Sequence, residues 1–235
     1  MTLFKRLGGV FANPRPTFQA IAEKPVWVDI LIVLMVALIA YMFVISPYTR
    51  HDQYQMMKDS VKLKERLGEE RFNQSLQSLE GPPTTWQVIQ TVVGTPLWFL
   101  LALLIQASVL ILFARFVSSQ GTFKQVFAAL VHASAVNVLL GNAVRLALIL
   151  IRKSAFQTST SLAALFPTME VMSKPYAILS QVDFFQLWMF GILAYGLSAI
   201  LKVDLKKSLF ISYSLWALKA LVNIAIGLIG MSFVR

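Results

Sequence analysis

WVDILIVLMVALIAYMFVIS, residues 27–46, is a run of twenty residues in which Asp29 is the one charged side chain. A helix of this length rises about 30 Å, which matches the hydrocarbon thickness of a bilayer. Similar apolar runs follow in the remaining chain, at 88–117, 125–151, 182–201 and 208–233. The sequence therefore predicts an all-α integral membrane protein, a bundle of about five transmembrane helices.

The composition of the chain agrees with this prediction. Of 235 residues, 57% are hydrophobic and 14% are charged, whereas soluble domains carry about 45–50% apolar and about 25% charged residues. The net charge of +10 arises from basic residues beside the apolar runs, where they set topology and contact anionic headgroups. We therefore expect membrane lipids as partners and no nucleic acid. Because the chain has no cysteine, disulfides and thiol chemistry are excluded.

Residues 1–26 precede the first predicted span and form an amphipathic, interfacial segment. The spacing predicts a first helix that lies in the membrane interface, and a turn with two prolines then breaks it. A second short helix is predicted from a cap near Thr17 to about Glu23, and Pro25 ends it. The first helix is defined by apolar residues at helical spacing: Leu3, Phe4, Leu7 and Phe11.

Two polar loops separate the predicted spans. The loop 47–87 carries six basic and six acidic residues, with apolar residues at intervals typical of helices. We predict one or two amphipathic helices there, broken near Gly68 and ended at Gly81. The 27–235 region is thus a five-span membrane domain with a helical extramembrane loop and a second loop at 152–181.

Five spans place the two termini on opposite faces of the membrane. One face carries the N-terminal segment and the turns at 118–123 and 202–207, and the other carries both large loops. The positive-inside rule predicts that the N-terminus is cytoplasmic, because basic residues stand close to span ends on its face: Lys5, Arg6, Lys24, Lys206 and Lys207.

Arg145 and Asp183 are ionisable residues near matching ends of the third and fourth spans. An ionised group at membrane depth costs about 2.5–3.5 kcal/mol on insertion scales, so it requires a partner. We predict an ion pair between the two side chains. Such a pair could serve as a proton or ion relay, or it could lock the two helices together. A third possibility is that Arg145 simply extends to the interface. The structural explanations are favoured over the relay.

Lys219 lies near the centre of the fifth span, on a polar stripe that includes Asn223. Since the other spans offer no carboxylate at that depth, we expect Lys219 to bond Asn, Gln or carbonyl oxygens, to be neutral, or to bind a substrate or lipid anion. His132 and Asn137 in the third span, with Asn142, are most simply explained by interhelical hydrogen bonds. Two histidines without cysteine predict no metal site and no cofactor.

Sequence motifs of phosphate-binding, hydrolase and metalloprotease sites are missing, so an enzyme is not expected. Residues 11–27, FANPRPTFQAIAEKPVW, resemble the opening segment of bacterial members of the Ypt-interacting protein (Yip) family. The order of spans and GEERF at 68–72 also resemble that family. The resemblance implies a five-span bundle with a cytoplasmic N-terminus in the bacterial inner membrane, and brings no catalytic residues.

Two functions remain open at this point. The first is a non-enzymatic protein that organises membrane proteins or lipids, as a homo-oligomer or with a partner membrane protein bound through the loop 47–87. The second is a small transporter or channel-like protein that uses the polar face around Lys219.

Overall fold

The computed structural model describes residues 1–156, 158–171 and 173–234, with side chains up to residue 231. Gln157 and Met172, in the predicted loop 152–181, and Arg235 lie outside the described residues. The described part is helical apart from turns and one isolated β-bridge. Its helices are α1 Leu3–Ala12, α2 Pro14–Glu23, α3 Val28–Lys58, α4 Val61–Leu67, α5 Glu69–Glu80, α6 Thr85–Arg115, α7 Phe123–Arg152, α8 Lys174–Leu179, α9 Phe184–Leu201 and α10 Leu205–Val234.

Five of the described helices are long and apolar enough to cross a membrane: α3, α6, α7, α9 and α10. The predicted fold class is therefore confirmed. The first span differs most from its predicted bounds, since α3 continues twelve residues beyond residue 46 to Lys58. Pro47 lies inside this helix, where it removes one backbone hydrogen bond without ending the helix. Membrane proteins tolerate such a proline because neighbouring groups satisfy the freed backbone.

The predicted helical loop is confirmed as α4 and α5. Ser60 caps α4 by accepting a hydrogen bond from the Leu63 amide, and Gly68 separates the two helices. The φ angle of Gly68 is 78°, a left-handed conformation that favours glycine. The break near Gly68 and the end at Gly81 were predictable, whereas the extension of α3 into the loop was not.

Two of the spanning helices contain a π-helical turn. In α6 it covers Gln90–Gly94, two residues before Pro96. In α7 it covers Val136–Gly141. Such turns change the direction of the side chains that follow and often occur at functional sites. The second turn contains Asn137 and ends four residues before Arg145, and both are predicted polar residues.

The N-terminal helices pack against the membrane bundle. Phe18 of α2 is fully buried where α2 crosses α9 and α7. A Cβ at Gly196 would lie 2.9 Å from both Phe18 and Ala129, so glycine permits this close approach. The second helix begins at Pro14 rather than near Thr17, and Thr17 lies inside it, donating to the Asn13 carbonyl at 2.8 Å.

Side-chain contacts define the two ends of the bundle. At one end, Gln125 donates to the Ala22 carbonyl at 2.8 Å and Ser118 donates to the Leu201 carbonyl at 2.8 Å. At the other end, Asp52 accepts hydrogen bonds from the Ala155 and Phe156 amides. The N-terminal segment and the two short turns therefore share one end, and both large loops share the other, as predicted.

Candidate functional site: polar groups in the membrane bundle

Arg145 is the centre of a hydrogen-bonded cluster at the end of the bundle that carries the large loops. Its Nη2 donates to Asp183 Oδ1 and to Asn137 Oδ1, each at 2.9 Å. Its Nη1 donates to Asn142 Oδ1 at 2.9 Å, and its Nε donates to Thr160 Oγ1 at 3.0 Å. The guanidinium also lies 5.8 Å from the Phe185 ring centroid. This set of partners satisfies the forked geometry of arginine.

Asp183 is the residue that joins this cluster to the fourth span. It is the N-cap of α9 and accepts from the Gln186 amide at 3.0 Å. Its second carboxylate oxygen accepts from the Thr160 hydroxyl. Burial raises the pKa of the Asp183 carboxyl, but the Thr160 hydrogen bond and the Arg145 charge outweigh burial, so the net shift of this pKa is downward. The carboxylate is therefore held in its ionised form.

The loop before α9 is fastened by the same cluster. Ser161 and Asp183 form the isolated β-bridge. Phe184 donates its amide to the Thr160 carbonyl at 3.1 Å, and Leu162 donates to the Val182 carbonyl at 3.0 Å. Arg145 thus connects α7, the loop and α9 in one unit.

The predicted Arg145–Asp183 ion pair is confirmed, with an N–O distance of 2.9 Å. Asn137 belongs to the same cluster, since it lies in the π-helical turn of α7 and its Oδ1 accepts from Arg145. Sequence reasoning missed Thr160. It lies in a stretch of several Ser and Thr residues, and no sequence signal distinguishes the one that reaches the ion pair.

Lys219 of α10 donates from Nζ to Gln186 Oε1 of α9 at 2.7 Å. The prediction that a neutral Asn, Gln or carbonyl oxygen binds Lys219 is therefore confirmed, with Gln186 as the residue. Asn223, one turn further along α10, donates to Gln181 Oε1 at 3.0 Å. The polar stripe of α10 thus faces polar residues at the beginning of α9.

His132 lies apart from these contacts and is fully buried in α7. Its Nδ1 lies 2.8 Å from the Ala128 carbonyl oxygen of the same helix, so Nδ1 carries a proton. Its Nε2 is buried and has no hydrogen-bond partner among the residues that the structure describes. The interhelical network expected around His132 is not formed by the described residues, since Asn137 and Asn142 both accept from Arg145 of the same helix.

A second ion pair, which sequence reasoning missed, joins Arg6 of α1 to Asp29 of α3. Arg6 also donates to the Met1 carbonyl at 3.2 Å and is buried. The helical pattern places Arg6 on the polar flank of α1, but packing of α1 against the bundle turns this flank toward the start of α3. Arg6 near one end of the bundle and Arg145 near the other are therefore each paired with an aspartate.

Chemically, the candidate site consists of paired charges and amide contacts between helices. No group of three His, Asp or Glu side chains suited to a metal ion occurs within the described ranges. Lys219 differs from the two arginines, because its hydrogen-bond partner is neutral. The geometry defines an integral membrane protein whose helices are joined by internal polar contacts.

The family model of the Yip1 domain matches residues 8–227. The chain therefore belongs to the Yip1 domain family, whose members are generally non-enzymatic trafficking proteins. The resemblance to the Yip family is thereby confirmed at the level of the family. Neither the curated proteins nor the solved structures include a match.

Proposed function

We propose that this protein is a non-enzymatic organiser of other membrane proteins or lipids, and that α4 and α5 form its main contact surface. The protein acts in the bacterial inner membrane with its N-terminus in the cytoplasm. The observation that carries the proposal is the rigid attachment of α5 to the first span, because a fixed extramembrane surface is suited to recognition.

Arg50 of α3 provides this attachment at the end of α5. Its Nη2 donates to the carbonyls of Ser78 and Leu79, at 2.7 and 3.1 Å, and its Nη1 donates to Gln87 Oε1 at 3.0 Å. Carbonyls at a helix C-terminus lack partners within the helix, and an arginine that binds them stabilises the end. Phe72 of α5 is buried, so both its middle and its end are fixed.

The outer surface of the same unit remains free for a partner. Val61, at the start of α4, is 70% exposed. The loop 47–87 carries equal numbers of basic and acidic residues, so electrostatic repulsion does not oppose association with a second copy or another protein. An amphipathic helix with an exposed apolar residue is a common element of protein recognition.

The charge distribution supports the proposed orientation. The end with the N-terminus carries nine basic residues, several of them close to span ends, whereas the ten basic residues of the large loops and the C-terminus are spread over about twice as much chain. Basic residues beside span ends favour the cytoplasmic face, where anionic lipids attract them.

The contact surface is tested with two matched surface variants in the full chain. Val61→Glu is expected to abolish complexes recovered by native pull-down, because a carboxylate replaces an exposed apolar contact. Leu165→Glu is the control, since Leu165 is 71% exposed in the second loop at the same end of the bundle. Unchanged complexes both in Val61→Glu and after deletion of residues 52–80 would contradict the proposal.

A second candidate function, a small transporter or channel-like protein, is favoured by Lys219 alone, because its hydrogen-bond partner in α9 is neutral. An anionic substrate at membrane depth would complete its electrostatic environment. The competing interpretation is that Lys219 only joins α10 to α9.

Under the organiser function, Lys219→Ala leaves ion flux and proton leak in proteoliposomes at background values. The expected change is instead a modest loss of thermal stability, as for one hydrogen bond to a charged group, about 1.5–3 kcal/mol. Asn223→Ala is the control for loss of a neutral contact to α9. A wild-type flux above protein-free liposomes that disappears in Lys219→Ala would establish the transporter instead.

A further inference from the structure

A cavity of about 560 Å³ lies between the second half of α3 and the end of α5. Its volume falls in the range of about 300–1,000 Å³ that is typical of small-ligand sites. The residues that bear on its chemistry are Phe43, Pro47, Arg50, His51, Tyr54 and Glu80.

The position of the cavity relates it to the membrane surface. Phe43 belongs to the apolar run 27–46, whereas Tyr54 stands in the polar extension of α3. Eleven residues of helix separate them, a rise of about 16 Å. The cavity therefore extends from the edge of the hydrocarbon region into the depth occupied by lipid headgroups.

The lining of the cavity contains one permanent positive charge, Arg50, and one negative charge, Glu80. These two side chains do not pair with each other among the described ion pairs. The contacts of Arg50 with α5 hold its charge in place, while Glu80 and Tyr54 line the same cavity. A zwitterionic ligand balances both charges, whereas an anion or a cation balances only one.

The Glu80 carboxylate distinguishes one kind of zwitterion from another. A primary ammonium group has three N–H donors and can bind carboxylate oxygens. A quaternary ammonium group has no N–H and therefore cannot donate such hydrogen bonds.

We propose that this cavity binds the headgroup of phosphatidylethanolamine, with its ammonium group at Glu80 and its phosphate beside Arg50. The inference rests on the proposed function, since it names the lipid class recognised where the extramembrane unit joins the first span. The acyl chains then lie along the apolar part of α3 below Phe43.

The test uses the full chain in mixed-lipid nanodiscs and measures retained lipid by native mass spectrometry. Phosphatidylcholine is the comparison that lacks N–H donors, and phosphatidylglycerol is the comparison that lacks a cation. Phosphatidylethanolamine is expected to be retained at least about tenfold better than either, as for one hydrogen bond to a charged group. Equal retention of the three lipids, or preference for another of them, overturns the proposal.

Glu80→Gln is expected to lower retention of phosphatidylethanolamine by about tenfold, because the amide lacks the negative charge. Glu70→Gln is the matched control, since Glu70 is exposed on the same helix and bonds Gln74 outside the cavity. Wild-type retention in Glu80→Gln, or an equal loss in both variants, overturns the proposal. If lipid retention does not depend on Glu80 but the complexes still depend on Val61, only the lipid site is contradicted. If retention depends on Glu80 but the complexes do not depend on Val61, only the protein-contact surface is contradicted.

Discussion

Replacing Asp183 with alanine is expected to lower the free energy of unfolding by about 3 kcal/mol, because it removes a buried carboxylate and leaves the partly buried guanidinium of Arg145 without its counter-charge. Asp183 also caps α9 and accepts from Thr160, so one substitution removes three kinds of contact. The measurement is equilibrium unfolding in detergent micelles, with helicity as the signal.

Asp204→Ala is the matched control for this prediction. Asp204 caps α10 by accepting from the Lys207 amide at 2.8 Å, and its ion pair with Lys207 is exposed. Loss of an N-cap costs about 1 kcal/mol, and an exposed ion pair adds little. Equal losses in Asp183→Ala and Asp204→Ala would show that the buried ion pair does not stabilise the bundle.

A double variant separates the ion pair from the other contacts. Arg145→Met with Asp183→Leu removes both charges and is expected to be more stable than Asp183→Ala alone, because no buried charge is left unpaired. Recovered stability in the double variant would show that the loss in Asp183→Ala arises from the unpaired charge of Arg145 rather than from the lost cap.

Phe18→Ala is expected to lower the free energy of unfolding by about 3–5 kcal/mol, as for other large-to-small substitutions in a packed core. Phe18 is 0% exposed and fills the crossing of α2 with α9 at Gly196. The cavity left by alanine cannot close, because Ala129 and Gly196 offer no atoms to fill it. The measurement is again unfolding in detergent micelles.

Phe4→Ala is the control, since Phe4 is 82% exposed on α1. Removal of an exposed side chain usually changes stability by no more than about 0.5 kcal/mol. If both substitutions had the same small effect, the N-terminal helices would not be part of the folded bundle.

The spans could be predicted from the sequence because, in a chain with so few charges, apolar runs of this length have one physical explanation, a helix that crosses the bilayer. It predicted the Arg145–Asp183 pair because Asp183 is the one carboxylate near that end of the fourth span. The charge of a residue and its depth in the span leave few alternative partners for it, so a single sequence is sufficient to predict such contacts.

The contacts of neutral side chains were less predictable. Several Gln and Asn residues lie at similar depth, and the rotation of α10 against α9 selects Gln186 for Lys219. The burial of Arg6 depends likewise on how α1 packs beside α3. These choices are made by tertiary geometry, which helical periodicity alone does not contain.

The protein is proposed to contact its partners through the extramembrane unit of α4 and α5. Lysine crosslinking in native membranes, read by mass spectrometry, tests this contact directly because lysines stand at both ends of the bundle. We expect crosslinks to other proteins to concentrate on Lys58, Lys62 and Lys64. Links concentrated instead on Lys24, Lys202 and Lys206, at the opposite end, would contradict it.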